Sequence, residues 1–137
     1  MEFEKLNLNW NAEPNAPEPT LEVENGNIIL KFYLNYFLYE QFDENDLGKL
    51  TFFGCEKYSF NGMNDEGYYC GQYRYSYKQL PWGEFYKLKT NYNDFPNDYV
   101  KINDIENASE LNHYIFFFRD NTFECIAENY KFEILKN

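Results

Sequence analysis

The chain has 137 residues, 44% of them apolar and 26% charged, and carries a net charge of −11. Its length suits one domain whose core buries roughly two-thirds of the surface an unfolded chain exposes. A composition this close to the globular average excludes a disordered chain and a disulfide-scaffolded miniprotein, and the negative excess disfavours phosphate backbones and anionic membrane surfaces as partners.

The outlier is aromatic content: 14 Tyr, 14 Phe and 2 Trp make up 22% of the chain. Codon bias supplies a bland origin, since Tyr, Phe, Asn, Ile and Lys have AT-rich codons and Asn stands at 19 positions. Rings also pack well against cross-strand neighbours on a pleated surface, so the richness points to β structure before it points to a ligand. Cys55, Cys70 and Cys125 have no CxxC spacing and read as reduced, buried thiols. The opening MEFEKLNLNW lacks the basic and apolar regions of a secretion signal, and no apolar run approaches the roughly 20 residues that span a bilayer. The expectation is a cytosolic protein that engages no membrane.

In chain order, residues 11–19, NAEPNAPEP, hold three of the five prolines and read as an extended lead-in, because proline removes a donor and biases its predecessor toward extended geometry. Asn25-Gly26 then separates two β-prone runs, and Gly26 supplies the positive φ of a tight hairpin turn. In the second arm Leu30, Phe32, Leu34, Tyr36 and Leu38 share one face, while Ile29, Tyr33, Phe37 and Tyr39 lie on the other, which predicts a central strand covered on both sides. EQFDENDLG (40–48) is an acidic connection with Gly48 as its stop, and KLTFFGCEKYSF resumes strand composition.

The stretch NDEGYYCGQYRYSYKQLPWGEFY (64–86) places Tyr69, Tyr73, Tyr75 and Tyr77 on one face of a half-buried strand and Cys70, Gln72, Arg74, Ser76 and Lys78 on the other. Two readings stand for the tyrosines: core side chains with hydroxyls at the core's edge, or an exposed platform of the kind that anchors proteins or sugars. Pro81 and Gly83 punctuate the chain before a return strand in EFYKLKT. Residues 91–110 are polar, with a short helix expected near Asp104 to Leu111 and Asn103 as its N-cap. HYIFFF and FECIA flank RDNT as a second hairpin, and YKFEIL closes the chain as a strand. The expected fold is all-β: a single antiparallel sandwich or partly closed barrel of about seven or eight strands with at most one short helix. Leu30, Phe32, Leu34, Phe52, Tyr73, Tyr75, Ile115, Phe117, Cys125 and Ile126 are its expected core.

Chemical signatures are sparse. His113 and the scattered cysteines lack the spacing of a zinc site, no glycine-rich phosphate loop occurs, and His113 has no serine or cysteine partner in a known motif. The sequence therefore assigns no catalytic residue, metal or cofactor. Asp65, Glu66 and Glu84, with Arg74, are the groups a hydrolase would draw on, but a paired loop and corner would sit at opposite ends of a hairpin, farther apart than the roughly 5–10 Å of a glycosidase dyad.

Acidic runs at 13–24, 40–46 and 94–110 fall mostly on connections, and a charge excess of this size steers association with basic proteins. The leading reading is a non-enzymatic module that binds a basic protein, with Asp43, Glu44, Asp46, Asp65, Glu66 and Glu84 as contact acids and Trp82 and Tyr86 as apolar anchors. In general character, though by no motif, the chain resembles bacterial immunity and antitoxin proteins, which implies an inhibitor of a basic toxin or nuclease. The alternative from another class is an aromatic-lined pocket for a small molecule or carbohydrate.

Overall fold

A computed structural model describes residues 2–62, 83–89 and 99–137. Its described residues form ten strands: β1 Glu2–Lys5, β2 Thr20–Glu24, β3 Asn27–Tyr33, β4 Leu47–Phe53, β5 Lys57–Asn61, β6 Phe85–Lys89, β7 Val100–Lys101, β8 Asn112–Phe117, β9 Thr122–Ala127 and β10 Asn129–Leu135. They build two antiparallel sheets, one of six strands in the order β1-β6-β8-β9-β5-β7 and one of four in the order β10-β4-β3-β2. The sheets are sandwich-like and do not close into a barrel. The all-β expectation holds, with more strands than the sequence suggested because β1, β7 and the break between β4 and β5 carry no clear periodicity of their own.

Local chemistry explains the most legible elements. Asn25 and Gly26 both take positive φ, 52° and 77°, and join β2 to β3 as the sequence required. The hairpin around residues 118–121 pairs β8 with β9, and β10 runs antiparallel to β4 along its whole length. β3 alternates between buried and half-buried positions in the interior of the smaller sheet. Its pattern ends at Tyr33: Phe37 and Leu38 leave the strand in a turn and are exposed. Gly48 is no stop signal but lies inside β4, beneath Phe32, where an added Cβ would come within 2.7 Å of the ring. The helix expected from Asp104 is one 3-10 turn at Ala108–Glu110, preceded by Asn107 rather than Asn103, with Asn107 in the left-handed region. The return strand β6 pairs with β1 and β8.

Between the sheets lies an aromatic core. Phe32 and Phe52 from the smaller sheet meet Phe85, Tyr114, Phe116 and Phe123 from the larger one, with Phe85 and Phe116 stacked at 5.5 Å and Phe52 edge-on to Phe85 at 5.9 Å. Offset and edge-on arrangements let the positive rim of one ring meet the negative face of another, which adds to the area term. Every described member of the expected core is buried, and β9 is buried on both faces, so both Cys125 and its neighbour Ile126 are inside. Tyr73 and Tyr75 lie outside the described residues.

The proline-rich lead-in is part of this core. Residues 6–19 carry the chain from β1 in the larger sheet to β2 in the smaller, and Trp10 stacks on Phe132 at 3.9 Å and on Phe32 at 5.7 Å. Asn7 is fully buried and donates to the Trp10 carbonyl while its own carbonyl accepts from Phe85 N–H. Backbone hydrogen bonds from Glu13 to Tyr33, from Tyr33 to Pro17 and from Asn35 to Asn11 fasten the segment to the end of β3. A stretch without regular structure can pack inside in this way because its backbone groups find partners one by one.

Candidate functional site

Among the described residues, the end of β3 and the connection that follows it, residues 34–46, line a surface cavity. A connection longer than about a dozen residues is uncommon in a compact domain and is usually held by its own contacts. Asn35 starts it: its side-chain oxygen accepts from Phe37 N–H and Leu38 N–H, forming a turn that holds Phe37 and Leu38 outward. Asp46 ends it. This carboxylate accepts from Asp43 N–H at 2.8 Å, Asn137 N–H at 3.0 Å and Lys136 Nζ at 2.8 Å, and Lys136 also donates to the Gln41 carbonyl. The Lys136 hydrogen bond, and then the backbone N–H groups of Asp43 and Asn137, hold the Asp46 carboxyl down at about 2.

Asp46 therefore has a role different from the one its charge suggested. Its side chain is 1% exposed, and its oxygens face the connection and the C-terminal residues instead of solvent. Asp43 and Glu44, by contrast, are exposed on the same connection. Glu84 is half-buried at the far side of the N-terminal segment, where it accepts from the Asn7 side-chain amide and pairs with Lys5 at 3.5 Å. Tyr86 is buried on the outer face of the larger sheet, edge-on to Phe3 at 5.4 Å and to Phe117 at 6.1 Å, so it offers no ring to a partner. The sequence missed this because β6 places Tyr86 opposite Ile115, and cross-strand pairing is invisible before the sheet is known. Asp65, Glu66, Arg74 and Trp82 lie outside the described residues.

Tertiary structure adds residues that the sequence left unconnected. Glu13 and Glu18 from the N-terminal segment, Tyr33 and Tyr36 from the end of β3, and Glu44 and Asn45 from the connection line a surface cavity of about 230 Å³. Glu13 is held in place by accepting from Asn15 N–H and Ala16 N–H. Glu18 and Asn45 take positive φ, 46° and 74°, which places their side chains at the cavity from tight bends. Burial, and then the carboxylates of Glu44 and Glu13, raise the Tyr36 hydroxyl above its ordinary range, so the acids from separate segments share one field at this ring. A second cavity, about 260 Å³, shares Ala16 and Glu18 with the first and continues toward Asp120. The only hint in the sequence was that acids recur at both 13–24 and 40–46.

A different polar group lies on the outer face of the larger sheet. His113 Nε2 and Glu124 Oε1 are 2.7 Å apart, both almost fully buried, and Tyr99 donates its hydroxyl to the other Glu124 oxygen. Glu124 on the adjacent strand β9 gives the buried imidazole the polar partner that its burial requires. Among the described residues no group of His, Cys, Asp or Glu is arranged to hold a metal ion, and no helix is long and apolar enough to cross a membrane.

Fold and surface together define an all-β, two-sheet protein with an acidic, tyrosine-lined cavity at one end of its smaller sheet. No protein-family model matches the chain, and no curated protein or solved structure matches it significantly, so its function must be argued from these residues.

Proposed function

We propose that this chain is a non-enzymatic binding module for a basic protein, with the surface around the exposed Asp43, Glu44 and Glu18 as its contact face and the buried Glu13 adding its charge from behind. The observation that carries this reading is the convergence of Glu13, Glu18 and Glu44 from two distant segments around one cavity, on a chain with a net charge of −11. Carboxylates gathered at one end of a fold create a directed field, which raises encounter rates with a basic partner and disfavours acidic ones. An inhibitor of a basic nuclease or toxin would use such a face by presenting carboxylates where that enzyme takes phosphates. The remaining sequence candidates Asp65, Glu66 and Trp82 stay within this proposal as further contact groups.

Affinity capture from the source cell, with mass-spectrometric identification, supplies the partner for the test. The purified complex is then titrated by calorimetry at several salt concentrations with the native chain and with Asp43→Asn/Glu44→Gln. Weakening on substitution, together with a shallower salt dependence, is expected. Identical affinity and salt dependence for both chains would end the proposal.

A further inference from the structure

The turn after β3 exposes two large apolar side chains in succession, Phe37 at 65% and Leu38 at 63%. Single exposed hydrophobes are ordinary, but two together on a turn fixed by Asn35 form a preorganised apolar knob. Phe37 stacks on Tyr36 at 4.2 Å, and Tyr36 is a wall of the acidic cavity. The knob and the cavity therefore share one ring. On the neighbouring N-terminal segment Leu8 is 74% exposed, and Gln41 ties that segment to the same connection by donating to the Asn9 carbonyl.

We propose that the Phe37–Leu38 turn and the cavity beside it form one docking site for a protein segment that presents an arginine next to apolar side chains. This rests on the basic-partner reading above and adds where the partner sits and what it inserts. Charge complementarity selects the occupant. A cavity walled by Glu18 and Glu44, with the buried Glu13 adding its charge while its oxygens accept from Asn15 N–H and Ala16 N–H, repels anionic groups, whereas a cation there finds the Glu18 and Glu44 carboxylates and two tyrosine rings. Arginine fits better than lysine: its planar guanidinium stacks on an aromatic face and offers several N–H donors to carboxylates arranged around it. The apolar knob lies just outside, where a buried aromatic or aliphatic contact would exclude water from the ionic contacts and strengthen them.

The test follows backbone amide signals by NMR during titration with acetyl-Arg-Leu-Phe-amide, its citrulline counterpart and arginine amide. Citrulline keeps the shape of arginine and removes the charge. The arginine peptide is expected to shift Ala16, Tyr36, Phe37 and Leu38 saturably, with the citrulline peptide weaker by about tenfold or more. Phe37→Ser should weaken the peptide severalfold and by more than it weakens arginine amide, and Glu44→Gln should weaken both. Spectra of the free variants report that they remain folded. Equal binding of the arginine and citrulline peptides would overturn the proposal, as would indifference to Phe37→Ser. Saturable binding of the arginine peptide at other signals, with Tyr36 and Phe37 unmoved, would overturn this site and leave the basic-partner reading standing. No binding of any cationic probe at low salt would overturn the site, and the captured partner's salt dependence would then judge the wider reading separately.

Discussion

Asp46 and Lys136 are 90 positions apart in the chain and meet at 2.8 Å, with Asp46 buried and Lys136 half in solvent. Their pairing fixes the last residues of the chain against the connection that carries Asp43, Glu44, Phe37 and Leu38. An acid that composition assigns to a partner is used internally, to hold the connection against the C-terminal residues.

This pair makes stability depend on acidity. Folding lowers the Asp46 carboxyl from its ordinary 3.8 to about 2, so the charged form is favoured in the native state. Its contribution is fully present above the ordinary value and is lost as pH falls through about 2. Asp46→Asn should lower the thermal midpoint at neutral pH by a few degrees, and between pH 4 and 2 the midpoint should fall less for the variant than for the native chain. Thermal unfolding followed by circular dichroism measures both.

His113 and Glu124 form a buried pair, with Tyr99 as a further donor to Glu124, so removing either member takes a partner from a polar group held away from water. His113→Ala and Glu124→Ala should each cost about 2 kcal/mol or more, and the double variant should cost less than the two losses added together. Urea unfolding of the four chains gives the coupling directly. Additive losses would mean that the two side chains act independently.

Phe116 and Phe37 are the same residue type in opposite environments, 0% and 65% exposed. Phe116 packs against Phe32, Phe85 and Phe118, so Phe116→Ala should cost about 3–5 kcal/mol, a large part of the total of about 5–15 kcal/mol expected for a domain. Phe37→Ser should stay within about 0.5 kcal/mol. Denaturant midpoints separate the two outcomes, and a near-neutral Phe37→Ser makes that variant usable in binding experiments.

Cys55 and Cys125 are both fully buried in the inter-sheet core. Burial, and then the Cys55 thiol hydrogen-bonded beside it, push the Cys125 thiol well above its ordinary range, which suppresses the reactive thiolate. Brief treatment of the native protein with N-ethylmaleimide at pH 7 should leave both unlabelled, and the same treatment in denaturant should label both. Peptide mapping by mass spectrometry reports each cysteine separately.

Much of the fold was legible because its signals are local. Asn25-Gly26 can take the left-handed turn that a hairpin requires, and the polar RDNT at 119–122 separates two apolar runs, so both hairpins follow from short-range chemistry. Gly48 misled because glycine punctuates loops and also permits close packing, and only the ring of Phe32 above it distinguishes the two uses. Tyr86 misled for a similar reason: Glu84, two residues before it, and Lys87, the next residue, are polar, while its cross-strand partner Ile115 lies far along the chain.

By itself, the sequence determined the β class, the two hairpins, part of the described core such as Leu30, Phe32, Phe52 and Cys125, and the negative charge, since turn propensity, apolar periodicity and ionisation are properties of residues and their near neighbours. Tertiary structure alone decided which acids face solvent and which share one field. It turned Asp46 inward to Lys136 and brought Glu13 and Glu18 beside Glu44 across Tyr33 and Tyr36. The physical reason is that a carboxylate's role is set by the donors and charges within a few ångströms of it, and here those come from segments that only folding brings together.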